Sequence, residues 1–246
     1  MNVLIVYAHP EPKSFNGAMK DIAAETLATA GHEVVVSDLY AMGFDPVAGR
    51  GDMTGELDNP DFFSLATEQT AAYRTGRTAP DIAAEMARLE RADLVIFQFP
   101  VWWFGMPAIL KGWTDRVFAR GFAYLPGRKY DTGMFRGKLA MVAATTGTSA
   151  DTYAPDGIDG DILTVLWPIH NGLLRYSGFD VLPPFVAYMP GRLDEEGRKA
   201  CLEAYRKRLG EIDTTPRLFF HPKEDYGPNE RLKPGVLARS GVQRNV

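Results

Sequence analysis

Polar side chains that could bind a phosphate follow the first apolar segment of the chain. His9, Ser14 and Asn16 come after the apolar residues 3–8, and residues 18–30 are rich in helix formers. The segment lacks the G-x-G-x-x-G sequence that a dinucleotide-binding turn requires. Open N–H groups and the dipole at a helix N-terminus favour a phosphate, so we predict a phosphate-bearing cofactor here. The alternative is that Ser14 and Asn16 only cap the helix.

Three adjacent aromatic residues follow another apolar segment. Trp102, Trp103 and Phe104 come shortly after residues 93–99. Aromatic side chains in such a loop could stack against the ring system of a ligand. They could instead seal an edge of the core or a subunit interface, and this alternative is strongest for Trp102.

A third loop combines hydroxyl groups, a glycine and open backbone amides. Residues 145–153 follow the apolar residues 139–144 and read TTGTSADTY. Such a loop could hydrogen-bond the polar edge of a ring cofactor. Taken alone, it could equally be a Thr/Gly-rich connection.

The elements that position these loops alternate between strand and helix patterns. We predict strands at residues 3–8, 33–39, 93–99, 139–144 and 179–182, and helices at residues 18–30, 81–91, 107–118, 162–176 and 195–212. This alternation predicts an α/β fold, a doubly wound five-stranded parallel sheet with helices on both faces. Ligands of such sheets bind beyond the carboxyl ends of the strands, where the three loops lie. Residues 45–78 and 213–246 fall outside the repeat, so we predict a domain at 1–212 and a C-terminal extension at 213–246.

Composition narrows the functional classes. The net charge of −4 gives no general attraction for nucleic acid, and no apolar run reaches the length of a membrane span. The single Cys201 fits a reducing compartment, and the chain starts without a signal-peptide pattern, so we expect a cytoplasmic protein. No His/Cys cluster has ligand spacing, so we predict no metal.

Several motifs in order identify a family resemblance. They are AHPEPKSFN at 8–16, SDLYAM at 37–42, FQFPVWWFGMPAILKGW at 97–113, FAY at 122–124, TTG at 145–147 and LWPI at 166–169. With these motifs the chain resembles the NAD(P)H:quinone oxidoreductases, the DT-diaphorase group of the flavodoxin-like superfamily, from about residue 3 to 222. The resemblance implies a flavodoxin-like fold, a bound flavin, and two-electron hydride transfer from NAD(P)H to a quinone by a ping-pong mechanism.

The resemblance also assigns residues to the cofactor. FAD is expected ahead of FMN because Asp115 and Arg198 match positions near the adenine half and the pyrophosphate. The other matching positions, which would contact the flavin, are His9, Ser14, Phe15, Asn16, Pro100, Val101, Trp102, Trp103, Phe104, Thr145, Thr146, Gly147 and Tyr153.

Catalytic and substrate-pocket positions follow from the same resemblance. Tyr153, Gly147 and Asp159 occupy the catalytic positions. Of these, Tyr153 matches the tyrosine that stabilises negative charge on the reduced flavin. A homodimer is implied, with Tyr124 and Tyr176 of one subunit walling the other subunit's pocket beside Trp103 and Phe104.

The chain departs from the family at a few positions in this region. The family histidine that partners the tyrosine is replaced by Asp159, which would repel an anionic flavin if ionised. We predict that Asp159 caps the helix starting near Asp161, the alternative being a protonated carboxyl group. His170 is expected to be a packed or interface residue.

Other differences bear on substrates. Thr148 stands where a second glycine is common, and Pro126 where a pocket tyrosine is frequent. Arg192 adds a positive charge that would suit an anionic quinone or a 2′-phosphate, or else is a solvated loop residue.

Other functions are compatible with this fold. The alternatives are a flavin-binding regulatory subunit of a potassium-efflux transporter, an azo- or nitroreductase, and a one-electron carrier of flavodoxin type. The aromatic residues Trp103, Phe104 and Tyr124 favour a substrate pocket and therefore an enzyme.

Overall fold

A parallel β-sheet forms the centre of the computed structural model, which describes residues 1–245. Its strands are β1 (Asn2–Tyr7), β2 (Glu33–Asp38), β3 (Leu94–Pro100), β4 (Leu139–Thr146), β5 (Asp180–Val181) and β6 (Phe185–Tyr188). The strand order is β2-β1-β3-β4-β5, with β6 also paired to β4. This is the doubly wound order of flavodoxin-like sheets, so the predicted fold class is confirmed.

The last position in the sheet is divided between two short strands. One strand was expected at 179–182, but β5 pairs with the start of β4 and β6 pairs with its end. Pro183 and Pro184 separate the two strands, and proline has no N–H group to donate to a neighbouring strand. The sheet therefore has six strands in five positions, and β6 carries Tyr188 to the end of β4.

Helices cover both faces of the sheet, because alternate residues of its buried strands are apolar on each side. The helices are α1 (Phe15–Thr29), α2 (Leu65–Thr75), α3 (Pro80–Arg91), α4 (Ala108–Val117), α5 (Ile162–Val165), α6 (Trp167–Ile169) and α7 (Glu195–Gly210). Val3 and Ile5 pack with residues of α1 and α7, whereas Leu4 and Val6 pack with residues of α3 and α4.

The single helix predicted at 162–176 is divided into three parts. α5 and α6 meet at Leu166, and a π-helical segment follows at His170–Arg175. Pro168 lies at the start of α6, where its missing N–H interrupts the helical hydrogen bonds. His170 is 2% exposed, so its prediction as a packed residue is confirmed.

The segment between β2 and α3 is fixed by a buried arginine of α4. Arg116 Nε donates to Asp52 Oδ1 at 2.9 Å, and Arg116 Nη1 donates to Asp81 Oδ2 at 2.9 Å and to the Asp45 carbonyl at 2.8 Å. This segment lies outside the strand–helix repeat, as predicted, and contributes α2.

The last part of the chain runs along the outer strand and the π-helical segment. The Leu218 N–H donates to the Val181 carbonyl at 2.8 Å. Gly241, with φ +56°, lies so close to Trp167 that a Cβ atom there would be 1.8 Å from the indole ring. Within residues 1–245, none of the helices has the length and apolar character needed to cross a membrane.

Candidate active site

The three predicted loops meet at the carboxyl ends of β1, β3 and β4, which are neighbours in the sheet. The Ala8 N–H donates to the Gln98 carbonyl at 3.0 Å, and the Val101 N–H donates to the Thr145 carbonyl at 2.8 Å. Pro100 and Thr145 are partners in the pairing of β3 with β4. The sheet therefore brings the three loops together at one edge.

The loop after β1 wraps tightly around the start of α1. Ser14 caps the helix by accepting from the Gly17 N–H at 3.1 Å, so the capping interpretation is correct for this residue. A Cβ atom on Gly17 would lie 2.0 Å from the Pro12 carbonyl oxygen, so only glycine permits this approach. Phe15 and Asn16 occupy the first two helical positions, where N–H groups have no intrahelical acceptor. These N–H groups face the position at which an anion would be stabilised by the helix dipole.

His9 is oriented by the same loop. The Glu11 N–H donates to His9 Nδ1 at 3.0 Å. Nδ1 also lies 3.1 Å from the Glu11 carbonyl oxygen, so both contacts of this nitrogen are made within the loop. Nε2 is the ring nitrogen left for a ligand at this edge.

Asn16 is fixed by a buried hydrogen-bond network. Its Nδ2 donates to Thr145 Oγ1 at 2.6 Å, and its backbone carbonyl accepts from Gln98 Nε2 at 2.6 Å. The Tyr205 hydroxyl contacts Gln98 Oε1 at 3.3 Å. Asn16 Oδ1 is buried and has no hydrogen-bond partner within residues 1–245. An unpaired buried acceptor is costly, and a hydroxyl group of a bound cofactor would satisfy it.

Gln98 and Tyr205 were missed by the sequence analysis. Gln98 is a single polar residue inside the apolar strand β3, which is the signal that could have identified it. Tyr205 lies on α7 among apolar residues and gives no comparable signal, although burial raises the pKa of its hydroxyl. Both residues position Asn16 rather than face a ligand.

The aromatic residues after β3 occupy a tight turn. The Trp102 N–H donates to the Gly105 carbonyl at 3.1 Å, and the Gly105 N–H donates to the Trp102 carbonyl at 3.0 Å. Trp103 and Phe104 between them have φ values of +49° and +58°. Two positive φ values at the centre of a four-residue turn define type I′, which asparagine and glycine normally form. Aromatic residues in these conformations carry backbone strain, a feature that clusters at ligand sites.

The turn points its side chains away from the core. Trp103 is 98% exposed, Phe104 52% and Trp102 42%. The Trp102 ring lies 6.2 Å from the His9 ring, and the Phe104 ring lies 6.4 Å from the Tyr153 ring, measured between centroids. The idea that these residues seal a core edge is therefore wrong for Trp103. The turn therefore contacts the first loop through His9 and the third loop through Tyr153.

The loop after β4 places Tyr153 beneath this turn. Tyr153 is 7% exposed and also packs against Tyr188 at 6.1 Å. Burial raises the pKa of Tyr153, a side-chain hydrogen bond with Thr148 opposes this effect, and the nearby Asp159 adds to the rise. The hydroxyl therefore keeps its proton at neutral pH and acts as a donor. Thr145 and Thr146 are buried at the end of β4, and Gly147 follows them with open space around its Cα.

The predicted role of Asp159 as a helix cap is wrong. Asp161 caps α5 instead, accepting from the N–H groups of Leu163 at 2.8 Å and Thr164 at 3.0 Å. Asp159 Oδ2 accepts from the Thr148 hydroxyl at 2.8 Å. The cap is displaced by two residues because Gly160, with φ +76°, turns the chain between the two aspartates.

The remaining predicted residues lie away from the three loops. Asp115 is on α4, paired with Lys111 at 2.6 Å, and Arg198 is on α7, where its side chain donates to the Leu193 carbonyl. These helices cover opposite faces of the sheet, so the assignment of the two residues to the adenine half and the pyrophosphate stays a prediction. Arg192 is exposed in a single 3₁₀ turn that follows β6.

Tyr124 and Tyr176 pack against each other with ring centroids 5.8 Å apart. They line a groove of about 680 Å³ together with Asp115, Met106 and Leu173. The lining of the groove does not include Trp102, Trp103 or Phe104, although Met106 directly follows their turn. The groove is therefore available to wall the site of a second subunit, as the resemblance implies.

The chain is similar to known proteins over most of its length. Residues 1–209 match the family model for the flavodoxin-like fold. The rat NAD(P)H dehydrogenase [quinone] 1 is 46% identical over 240 residues, covering 98% of this chain and 87% of the relative. The mouse ribosyldihydronicotinamide dehydrogenase [quinone] is 50% identical over 211 residues, covering 85% and 91%. The crystal structure of a candidate quinone reductase from Klebsiella pneumoniae superposes with a TM-score of 0.93 at 42% identity, covering 100% of this chain and 98% of that one.

Proposed function

We infer the function from the family: this chain belongs to the flavodoxin-like NAD(P)H dehydrogenases (quinone) and is an oxidoreductase. It reduces quinones with NAD(P)H through a bound flavin. The observation that carries the proposal is the exposed aromatic turn, held in a strained conformation directly beside Tyr153. A folded protein keeps such strain where it orders a ligand.

The residues fit a flavin. The unpaired Asn16 Oδ1 would accept from a hydroxyl of the flavin side chain, while the N–H groups at the start of α1 and His9 Nε2 would hold its phosphate. Trp102, Trp103 and Phe104 would border the ring. Thr145, Thr146 and Gly147 would hydrogen-bond its polar edge, with Pro100 and Val101 completing the wall.

A bound flavin supplies the hydride acceptor and donor, so the protein binds, orients and excludes water. The aromatic turn would border the pocket over the ring, and a single pocket that nicotinamide and quinone occupy in turn would give a ping-pong order. The Tyr153 hydroxyl would donate to the edge of the ring where negative charge develops on reduction. Trp103, Phe104, Tyr124, Tyr176 and Arg192 would form the substrate pocket.

NAD(P)H is proposed as the electron donor because of the extent of the similarity. The match to the rat NAD(P)H dehydrogenase covers 98% of the chain, whereas the match to the mouse ribosyldihydronicotinamide enzyme covers 85%. The shorter match leaves out a part of the chain about as long as the extension that we propose at residues 213–246, beyond the catalytic domain at 1–212. FAD is proposed ahead of FMN, and the cytoplasm is proposed as the location because Cys201 is the single cysteine.

The proposal is tested by anaerobic titration of the flavin-loaded protein. NADH or NADPH should bleach the flavin without a semiquinone signal, and a simple benzoquinone should restore the colour. Heat release of the cofactor, followed by chromatography, identifies FAD or FMN. Flavin that neither nicotinamide reduces would contradict the proposal and favour a regulatory subunit or an electron carrier. Reoxidation by an azo dye or nitroaromatic but by no quinone would point to an azo- or nitroreductase.

A further inference from the structure

The loop between β4 and α5 is closed by hydrogen bonds between its own residues. Thr146 Oγ1 donates to the Thr148 carbonyl at 2.8 Å, and Thr152 Oγ1 donates to the Ser149 carbonyl at 2.9 Å. These bonds shape the first half of the loop. They leave its second half to be attached by other contacts.

Asp159 makes that attachment through two different groups. Its Oδ2 accepts from the Thr148 hydroxyl at 2.8 Å, and its backbone N–H donates to the Thr152 carbonyl at 2.9 Å. The first bond is charge-assisted and therefore stronger than a bond between neutral groups. Asp159 thus connects the end of the loop to the segment that directly follows β4.

Tyr153 lies inside this closed loop. It directly follows Thr152 and is buried between the rings of Phe104 and Tyr188. The nearby Asp159 carboxylate adds to the rise in the pKa of the Tyr153 hydroxyl. A change at Asp159 therefore affects Tyr153 in two ways. It alters the position of the tyrosine through the bonds to Thr148 and Thr152, and it alters the electrostatic field at the hydroxyl through the carboxylate.

We propose that Asp159 is a positioning residue that closes the loop through Thr148 and so holds Tyr153 beside the aromatic turn. The same carboxylate disfavours negative charge on a reduced flavin at this edge. The two contributions have opposite signs: the hydrogen bond helps cofactor binding, while the charge slows reduction. The effect on flavin rests on the proposed function; the loop closure does not.

Five variants, one of them a control and one a rescue, separate the hydrogen bond from the charge. Asp159→Asn keeps an acceptor for Thr148 and removes the charge, whereas Asp159→Ala removes both. Thr148→Val removes the hydrogen bond and keeps the charge. Asp156→Asn is the matched control, because Asp156 is an exposed carboxylate of the same loop. Thr148→Ser should restore what Thr148→Val loses.

The first measurement is hydrogen exchange of the loop amides in the flavin-free protein. Asp159→Ala and Thr148→Val should speed exchange at residues 152 to 159 about tenfold, since a charge-assisted hydrogen bond is lost. Thr148→Ser and Asp156→Asn should exchange like the parent protein, and Asp159→Asn should lie between the parent and Asp159→Ala, because its hydrogen bond is kept without the charge. Unchanged exchange in Asp159→Ala would overturn the proposal whether or not flavin binds.

The second measurement is made on the flavin-loaded protein. Asp159→Ala and Thr148→Val should bind flavin about tenfold more weakly, while Asp159→Asn should bind normally and be reduced by NAD(P)H roughly three- to tenfold faster. Equal flavin affinity of Asp159→Asn and Asp159→Ala would overturn the positioning role. If the parent protein binds no flavin, the proposed function fails, and the exchange measurement alone decides the loop closure.

Discussion

Trp103 and Phe104 occupy the two positions of the turn that asparagine and glycine normally take. A side chain in the left-handed region costs roughly 1–2 kcal/mol per residue. Trp103 recovers none of this cost through packing, because 98% of its surface is exposed. Its conformation is therefore explained by what it contacts when a ligand or second subunit is present.

Replacing Trp103 by asparagine should consequently stabilise the fold while weakening function. We expect Trp103→Asn to raise the free energy of unfolding by about 0.5–1 kcal/mol, because asparagine tolerates positive φ. Flavin reduction by NAD(P)H should become slower. Urea unfolding and stopped-flow reduction measure the two effects. Phe62→Asn, a similar change at another exposed aromatic residue, should alter neither; a destabilised Trp103→Asn protein would contradict the strain.

His170 couples stability to pH. Burial lowers its pKa to about 4 from 6.5, because the charged ring would lose its hydration. Its Nε2 atom is buried without a hydrogen-bond partner within residues 1–245. The folded state therefore binds this proton less readily than the unfolded state does.

The protein should lose stability as the pH falls below 6.5 and through about 4, by up to about 3 kcal/mol from this residue. This loss is absent well above pH 6.5, where His170 is neutral in both states, and it is complete below about pH 4. His170→Leu should remove this part of the slope without removing that of the carboxylates. Urea unfolding of both proteins between pH 7.5 and 4.5 provides the comparison. Parallel pH profiles would show that folding does not lower the pKa of His170.

At the scale of elements, the sequence predicted the parallel strands well, because each is a continuous apolar run covered on both faces. The edge position was harder to predict, since β5 has two residues and β6 follows a pair of prolines. The π-helical segment contains Asn171 and Gly172, which are weak helix formers, but its composition does not distinguish a π-helix from an interrupted α-helix. The three loops were placed correctly because strand ends fix where loops meet. Side-chain choices within them, such as Asp161 rather than Asp159 as the cap, depend on backbone turns that the sequence does not specify.

The interaction of α4 with the segment before it gives a prediction at this scale. Arg116 is buried, and its removal would leave Asp52 as an uncompensated buried charge. Arg116→Met should therefore cost about 3–5 kcal/mol of unfolding free energy. Lys111→Met, which breaks an exposed ion pair on the same helix, should cost less than about 0.5 kcal/mol. Urea unfolding tests both; similar losses would mean that the buried pair gives no special attachment.

At the scale of the whole molecule, two surfaces remain without partners within residues 1–245. One is the aromatic turn with Trp103 and Phe104, and the other is the groove lined by Tyr124, Tyr176 and Leu173. Exposed aromatic clusters of this kind mark ligand or protein contacts. A second copy of the chain could cover both, and each subunit would then supply one wall of the other's pocket.

We therefore expect a homodimer whose integrity is required for activity. Leu173→Asp places a charge in the groove and should shift the protein from dimer to monomer in sedimentation velocity. Because Tyr124 and Tyr176 would then leave the partner's pocket, quinone reduction should fall at least tenfold while the fold, followed by circular dichroism, is kept. Leu237→Asp changes a leucine that is exposed elsewhere on the surface and serves as the control. A monomeric parent protein with full activity would contradict the shared pocket, and an active monomeric Leu173→Asp protein would show that each chain completes its own site.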